Sequence, residues 1–357
     1  MSSENWRTLR VSDICIKVVS GGTPSTRNPD YYGGSIPWLK TQEVNFNRIY
    51  ETETKITDAG LNNSSAKWIP ANSVIMAMYG ATAGKIAINK IPITTNQACC
   101  NLIINDKIAD YRYVFYNLMS RFQEIASMAV GGAQQNLNAE MIRDLEIPLP
   151  PLSIQSRIAD VLSNLDDKIE LNRQTNATLE AIAQAIFKEW FVDFNYPGAT
   201  GELVESELGP IPKGWRVVKL GEITDLSWGD TKTTKDSYVY EGYVAYSASG
   251  PDGFLPYYDY SRDGIVVSAI GAYSGKTWFA HGKWSCIKNT IRFWSIDQNI
   301  SNEYLFLLSS NRGFWPLRGS AQPFISQTDA RNKKILYPND HLDNQFGLLV
   351  RHFYSRI

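Results

Sequence analysis

Residues 271–277 have the sequence GAYSGKT, a glycine-rich pattern that could bind a nucleotide phosphate. A P-loop needs four residues between its first glycine and its Gly-Lys pair so that backbone N–H groups surround the phosphates, and this segment has three. The related segment 80–85 is followed by Ile86, which has no hydroxyl for magnesium. Both segments therefore predict a tight turn between strands. A nucleotide hydrolase that uses the loop from Gly271 to Lys276 is the enzymatic alternative.

Two further patterns suggest chemistry without a complete site. Asn28-Pro29-Asp30-Tyr31 is similar to the Asn-Pro-Pro-Tyr motif of adenine methyltransferases, but Asp30 replaces the second proline and no glycine-rich loop for the methyl donor follows a predicted strand. Residues 29–30 with 53–55 imitate the carboxylate and lysine pattern of metal-dependent nucleases, which is too short to be specific. We therefore predict a binding protein without catalytic residues.

Composition predicts a folded cytoplasmic protein of about two domains. The chain has 357 residues, of which 43% are hydrophobic, enough for a sizeable core. The net charge of −1 excludes a polybasic tail protein. The sequence contains no apolar run of about 18 residues, so no membrane span is predicted. Four cysteines without a CxxC pair and three histidines without ligand spacing predict neither a disulfide framework nor a metal site.

The sequence repeats itself, which predicts a tandem duplication. The matches occur in order at separations of 188 to 209 residues: Trp6-Arg7-Thr8-Leu9 with Trp215-Arg216-Val217-Val218, 80–85 with 271–276, Gly132-Ala133-Gln134 with Ser320-Ala321-Gln322, Ile147-Pro148 with Tyr337-Pro338, and Leu152 and Gln155 with Leu342 and Gln345. Within each copy, short segments rich in Val, Ile, Tyr, Trp and Thr alternate with turn residues, which indicates a mostly β globule.

A long helix is predicted between the copies, because no Pro or Gly occurs from Leu152 to Phe194. Its heptad seam, in alternating steps of four and three, consists of Ile158, Leu162, Leu165, Ile169, Asn172, Asn176, Leu179, Ala183, Ile186 and Trp190. Such a seam needs a partner helix, and the repeat provides the start of one from Leu342 to Ile357, only 16 residues. Asn172 and Asn176 either fix the register of this pair or face solvent.

Each copy contains a basic sector. Residues 262–334 have 10 basic and 4 acidic side chains, and residues 67–122 have 6 and 2. Lysine and arginine interleaved with Tyr, Trp, Asn, Gln and Thr suit phosphate contacts and base-edge hydrogen bonds. A solvated basic face beside a core is the alternative interpretation.

The chain resembles, over its whole length, the specificity subunit of type I restriction-modification systems. The resemblance depends on Trp6-Arg7-Thr8-Leu9, Gly21-Gly22-Thr23-Pro24-Ser25, 31–38, 80–85, Thr94-Thr95-Asn96-Gln97-Ala98, 131–134, Pro148-Leu149-Pro150-Pro151-Leu152 with Gln155, 181–194 and 206–215. It implies an α+β fold with two tandem, mostly β target recognition domains separated by long conserved helices that form an antiparallel coiled-coil pair, the second helix truncated. The expected bounds are 1–151 and 215–340 for the domains, 152–196 for the central helix, 197–214 for a linker and 341–357 for the second helix.

The resemblance also implies function and partners. Each domain would read one half of a bipartite target in double-stranded DNA, two methyltransferase subunits would bring S-adenosylmethionine, and restriction subunits would use ATP and magnesium. The chain itself would hold no cofactor and would not bind a membrane. A two-domain carbohydrate- or protein-binding adaptor, with tyrosines and tryptophans stacked on sugars, is the alternative from another class.

Candidate DNA contacts follow from residue chemistry. Lysine and arginine neutralise phosphates, and Asn or Gln can bind the edge of adenine. The phosphate candidates are Lys40, Lys85, Lys276, Lys288 and Arg292. The base-edge candidates are Gln42, Asn96, Gln97, Gln134, Gln135, Asn136, Asn289 and Gln322. Residues shared by both copies, such as Lys85 and Lys276, are expected to be structural or to contact phosphates, because domains that read different sequences should differ where they contact bases.

Overall fold

A computed structural model describes residues 6–129, 136–311, 313–338 and 340–354. The chain divides between Glu170 and Leu171 into two compact units, called here the first and the second unit. The 40-residue helix α6 (Leu152–Phe191), roughly 60 Å long, contributes to both. The long helix predicted from the heptad seam is therefore confirmed.

The first unit is built on a five-stranded sheet and a three-stranded sheet. Its described strands are β1 (Arg7–Arg10), β2 (Cys15–Ser20), β3 (Tyr32–Leu39), β4 (Asn47–Ile49), β5 (Thr54–Ile56), β6 (Val74–Ala77), β7 (Ile86–Asn89), β8 (Thr94–Thr95), β9 (Cys99–Ile104) and β10 (Glu146–Leu149). The sheet orders are β2-β9-β6-β7-β4 and β5-β3-β8, and β1 pairs with β10. Its described α-helices, besides the start of α6, are α1 (Val11–Ile14), α2 (Asp58–Asn62), α3 (Tyr111–Ser120), α4 (Phe122–Ser127) and α5 (Ala139–Arg143).

The second unit repeats this plan with two four-stranded sheets. Its described strands are β11 (Leu203–Ser206), β12 (Gly209–Pro212), β13 (Arg216–Lys219), β14 (Thr224–Trp228), β15 (Tyr243–Ser247), β16 (Gly250–Leu255), β17 (Tyr260–Ser261), β18 (Gly264–Ser268), β19 (Thr277–Ala280), β20 (Lys283–Cys286), β21 (Thr290–Ser295) and β22 (Lys334–Tyr337). The sheet orders are β14-β21-β18-β19 and β16-β15-β20-β17. Its described α-helices, besides the end of α6, are α7 (Leu220–Ile223), α8 (Asn302–Ser309), α9 (Gln327–Asn332) and α10 (Asp340–Tyr354).

The central strands lie inside the core of each unit. All residues of β6 and of β18 are buried, as expected for short continuous apolar runs with sheet neighbours on both sides. Helix α3 packs on the main sheet of the first unit through Tyr113, Val114, Phe115 and Leu118. Strands β1 with β10, and β13 with β22, form the same antiparallel pair in the two units.

The register of the repeat differs from the sequence prediction near the end of each copy. Leu149 lies opposite Arg7, and Tyr337 lies opposite Arg216, so Leu149 corresponds to Tyr337 at a separation of 188 residues. Helices α6 and α10 begin at the same separation. The predicted matches of 147–148 with 337–338, and of Leu152 and Gln155 with Leu342 and Gln345, are therefore wrong by two residues. In the structure, the backbone hydrogen bonds between paired strands determine the register. The sequence prediction relied instead on matching side-chain types, which gave a register two residues off.

The second helix packs on the end of α6 within the second unit. The Phe346 ring lies 4.9 Å from that of Phe191 and 6.0 Å from that of Trp190, while Tyr354 and Glu180 line one cleft farther along. The two helices therefore run antiparallel, as the resemblance implied. Ala183 is buried in this region, and Leu179, Ile186 and Trp190 are half-buried.

The seam residues from Ile158 to Asn176 are not buried as they would be in a continuous helix pair. Ile158 packs on the core of the first unit and Leu162 is half-buried, whereas Leu165 and Ile169 are 57% and 49% exposed. Asn172 is exposed and Asn176 is half-buried. The helix-pair interface that the seam predicted is thus seen along the last part of α6, next to the short α10.

The segment 197–214, expected to be a linker, contains the β11–β12 hairpin. Ile211 is buried in the core of the second unit. Trp215, which follows the hairpin, stacks on Tyr196 with 5.6 Å between the rings. The segment therefore packs on the second unit through Ile211, and the aromatic residues on either side of it stack on each other.

Candidate nucleic-acid interface

Four of the predicted DNA-contacting residues come together at one edge of the first unit. Strands β3 and β8 are parallel, with Leu39 opposite Thr95, so both chains emerge at the same end of the sheet. Lys40 and Gln42 follow β3, and Asn96 and Gln97 follow β8. The Asn96 N–H donates to the Leu39 carbonyl at 3.0 Å. We call the loops 21–25, 40–43 and 96–98 the loop edge of the first unit.

A glycine loop after β2 completes this loop edge. The Gly22 N–H donates to the Thr95 carbonyl at 2.8 Å, and the Trp38 indole N–H donates to the Gly22 carbonyl at 2.9 Å. A Cβ on Gly21 would lie 2.1 Å from the Thr95 carbonyl oxygen, so only glycine allows this approach. The Thr23 hydroxyl then bonds the side chain of Gln97. Sequence reasoning included Thr23 in a motif but did not recognise it as a candidate.

The two Gly-Lys turns are hairpins between β6 and β7 and between β18 and β19. In the second unit the Ser268 N–H donates to the Lys276 carbonyl and the Gly275 N–H donates to the Ser268 carbonyl, both at 2.9 Å. The first unit repeats both bonds between Ala77 and the Gly84–Lys85 pair at 2.9 Å. The predicted tight turns are confirmed. A P-loop leads from a strand into a helix, so this connection contradicts the nucleotide-hydrolase alternative.

The lysines of these turns remain accessible. The Lys85 ammonium donates to the Asn45 side chain at 2.8 Å, and Lys85 is half-buried. Lys276 is exposed, with its ammonium 5.5 Å from the Trp278 ring centroid and 5.7 Å from that of Tyr273. A lysine at the same hairpin position of both units is suited to a contact that does not depend on sequence, such as a phosphate.

A short chain of backbone bonds joins Asn136 to the loop edge. The Met78 N–H donates to the Ala98 carbonyl, and the Leu137 N–H donates to the Met78 carbonyl, both at 2.8 Å. Asn136 is exposed and forms a bridge with Tyr79. The base-edge candidates Gln134 and Gln135 lie outside the described residues.

The second unit has an equivalent loop edge, which we define as the loops 229–233, 247–249 and 287–289. Here β15 and β20 are the parallel pair, and the Ile287 N–H donates to the Tyr246 carbonyl at 2.9 Å. The Asp230 N–H donates to the Cys286 carbonyl at 2.8 Å. Lys288 is exposed, and Asn289 is half-buried with φ +69°.

Two features of the second unit add to this surface. The Thr233 hydroxyl, together with the Lys232 N–H, holds the pKa of Asp230 below its usual value, so a carboxylate stands at this edge. Gln322 is exposed beside Pro323, whose carbonyl accepts from the Gly271 N–H at 2.9 Å. Gln322 therefore lies next to the hairpin that carries Lys276.

Arg292 is placed differently from the other candidates. Its side chain is 12% exposed, its guanidinium donates to the Asp225 carboxylate at 2.7 Å, and it lies 4.2 Å from the centroid of the Trp294 ring. A phosphate would have to displace Asp225 to reach it. The phosphate contact predicted for Arg292 is thus disfavoured by its geometry.

The described residues contain no group of three His, Cys, Asp or Glu that could hold a metal ion. Burial raises the pKa of the Cys286 thiol to about 12, as expected for an inert core cysteine. No helix in the described ranges is both long and apolar enough to cross a membrane.

Comparisons with known proteins agree with this architecture. The family model of the type I restriction modification DNA specificity domain matches residues 3–181 and 212–345, one match for each copy of the repeat. The type I restriction enzyme MjaIX specificity subunit of Methanocaldococcus jannaschii is 27% identical over 99% of this chain and 88% of that protein. The EcoR124I/EcoR124II specificity subunit of Escherichia coli is 30% identical over 45% of this chain and 40% of that protein.

A solved structure shows the same fold. The S subunit of a type I restriction-modification system from M. genitalium superposes with a TM-score of 0.67 at 16% identity, covering 99% of this chain and 90% of that one. Two family matches that span most of the sequence, and a relative aligned over almost the whole chain, agree with the tandem repeat and with the long helix. The chain therefore belongs to the family of type I restriction-modification specificity subunits, which recognise DNA and are not catalytic.

Proposed function

We propose that this chain selects the DNA target of a type I restriction-modification complex and that each unit binds one half of a bipartite target. The observation that supports this most strongly is the presence of an equivalent loop edge in both units, formed by a parallel strand pair and a glycine loop. The same frame with different side chains is what two readers of different sequences require.

Binding in this proposal divides into two kinds of contact. Lys40, Lys85 and Lys276 neutralise phosphates, which position the duplex but carry no sequence information. Gln42, Gln97 and Asn136 in the first unit, with Asn289 and Gln322 in the second, offer amides to base edges in the major groove. The amide oxygen of Asn96, the remaining base-edge candidate of this edge, is buried, which disfavours a base contact for it. Residues near the loop edges therefore determine the sequence, and the hairpin lysines determine affinity.

The chain is proposed to act with partners that supply the chemistry. Two methyltransferase subunits bring S-adenosylmethionine, and restriction subunits bring ATP and magnesium. The spacing of the half-sites depends on α6, because this helix belongs to both units. A net charge of −1 fits a subunit that shares the duplex with such partners.

Binding by the assembled complex tests this proposal. Fluorescence anisotropy is measured on duplexes in which the first half-site, the second half-site or only the spacer sequence is scrambled. Scrambling either half-site should weaken binding, whereas scrambling the spacer at constant length should not. Affinity should fall steeply between about 50 and 200 mM salt. Equal affinity for all duplexes would contradict the proposal.

A variant assigns one half-site to the first unit. Gln97→Ala should weaken binding only to duplexes with an intact first half-site. Lys107→Ala is the matched control, since Lys107 is exposed beyond Ile104, at the end of β9 opposite the loop edge. Loss of discrimination at both half-sites in Gln97→Ala would contradict the assignment of one half-site to each unit.

A further inference from the structure

Gln97 and Lys288 occupy the same position on the same backbone frame. Just before them, the Asn96 and Ile287 N–H groups donate to the strand end opposite, at Leu39 and Tyr246 respectively. Two residues before each, the Thr95 and Cys286 carbonyls accept from the glycine loop at 2.8 Å. Gln97 and Lys288 are separated by 191 residues, as are Asn96 and Ile287, and Thr95 and Cys286.

The frame continues on the other side of this position. The Ala98 carbonyl accepts from the Met78 N–H at 2.8 Å, and the Asn289 carbonyl accepts from the Ala269 N–H at 2.9 Å. The carbonyl after each accepts from a glycine: Cys99 from Gly21 at 3.3 Å and Thr290 from Gly229 at 3.0 Å. Four equivalent bonds thus fix one side-chain position in each unit. Asn289 corresponds to Ala98 in this frame, and Lys288 corresponds to Gln97.

Both side chains at this position can meet a ligand: the Gln97 amide oxygen accepts from the Thr23 hydroxyl, and its second lone pair is left for a base. Gln97 and Lys288 are exposed. Within the ranges that the structure describes, the Lys288 ammonium has no salt bridge and no hydrogen bond, unlike the neighbouring Lys235, which pairs with Asp252 at 2.5 Å. Lys288 is therefore not needed to hold its own loop.

Comparison with the hairpin turns separates two roles. Lys85 and Lys276 also occupy equivalent positions at a separation of 191 residues, and both are lysine. A phosphate is the same in every DNA sequence, so both copies can use the same residue for it. At the loop edge the two units share the same backbone hydrogen bonds, but the side chain changes from the amide of Gln97 to the ammonium of Lys288. This change indicates a contact that differs between the half-sites.

We propose that Lys288 reads a base in the second half-site, as the counterpart of Gln97, and does not contact a phosphate. This inference depends on the proposed function. An ammonium has three donors and no acceptor, which suits the adjacent O6 and N7 acceptors of guanine. An amide donates and accepts, which suits N7 and N6 of adenine. Lys288 thus reads guanine where Gln97 reads adenine.

Exchanging the two side chains tests the inference. The wild-type chain, Lys288→Gln and Gln97→Lys are each co-expressed with the methyltransferase subunit, and methylated sites in the host DNA are mapped. Lys288→Gln should change one position of the second half-site from guanine to adenine and leave the first half-site intact. Gln97→Lys should do the reverse. Each preference should shift by roughly 5- to 150-fold, the range for one good side-chain–base pair.

The controls separate this inference from its alternatives. Lys283→Gln removes an exposed lysine from the other end of β20 and should leave the motif unchanged. Lys288→Arg should keep guanine, which shows that the position tolerates substitution. An unchanged motif with uniformly weaker methylation in Lys288→Gln would overturn the inference in favour of a phosphate contact, and no change at all would also overturn it. If the wild-type chain itself produced no split motif, the proposed function would fail instead.

Discussion

Replacing Asp343 with asparagine is expected to stabilise the second unit at pH 8 and to have little effect near pH 4. Asp343 lies at the start of α10 and is fully buried. Its carboxylate accepts from the Ser301 N–H at 2.5 Å and from the Ser301 hydroxyl at 3.1 Å. These two hydrogen bonds join α10 to the residue that precedes α8. Burial raises its pKa to about 7 despite these two bonds, and the negative charges of Glu303 and Asp297 act in the same direction.

The first unit shows that an amide can serve at this position. Gln155 corresponds to Asp343 in the register of the helices, and its side-chain oxygen accepts from the Asp110 N–H at 3.0 Å. Its amide nitrogen donates to the Pro150 carbonyl at 2.8 Å. Asparagine at 343 keeps the acceptor for Ser301 and removes the buried charge.

The sign and size of the effect follow from the pKa. An unfolded aspartate titrates near 3.9, so the folded state binds the proton more tightly and gains stability from it below that pH. This stability is lost as the pH rises through about 7. About three pKa units at 1.36 kcal/mol each give an upper limit of about 4 kcal/mol. We expect Asp343→Asn to gain about 1 to 4 kcal/mol at pH 8, because one hydrogen bond is weakened.

Hydrogen exchange of peptides from α8 and α10 measures this effect locally, since the two units need not unfold together. Protection in Asp343→Asn should exceed that of the wild type at pH 8 and equal it near pH 4 after correction for intrinsic exchange. Asp236→Asn, an exposed aspartate of the same unit, is the control. If Asp343→Asn were destabilising by the same amount at both pH values, folding would not raise the pKa of Asp343 and the reasoning would be refuted.

Three further predictions concern the loop edge and the turns. Gly21→Ala places a Cβ 2.1 Å from the Thr95 carbonyl oxygen and should destabilise the first unit by about 2 to 4 kcal/mol in thermal unfolding; an unchanged melting temperature would contradict the packing. In Gly80→Ala the new Cβ meets open space, but the residue has φ +67°, so the substitution should lower the stability of the first unit by only about 1 kcal/mol; a loss as large as that of Gly21→Ala would contradict the idea that steric overlap costs more than a positive φ. Lys85→Ala should reduce the slope of log affinity against log salt by about 0.9 without changing the motif; an altered motif would show that Lys85 contacts a base.

The long helix and the duplication could be predicted from the sequence because both are periodic. A heptad seam repeats over ten positions, and matching segments recur in order. The register at the end of the repeat could not be predicted, since Gln155 resembles Gln345 in type but corresponds to Asp343 in the structure. Side-chain identity is a weak guide where backbone bonds decide.

Composition alone could not predict which residues the fold brings together at the site. Lys40 and Gln97 lie at the same edge because β3 and β8 pair in parallel, a tertiary contact between segments far apart in the sequence. Arg292 counted toward a basic sector, yet Asp225, on the neighbouring strand β14, neutralises it. Counting charges in a sequence interval cannot show which of them are paired.

The most direct measurement of the central claim is a map of adenine methylation in DNA from cells that express this chain with its methyltransferase subunit. We predict two short half-sites separated by a constant number of unspecified base pairs, of which only the first changes in Gln97→Ala. A single continuous motif, or methylation without sequence preference, would contradict the claim that the two units read separate parts of one target.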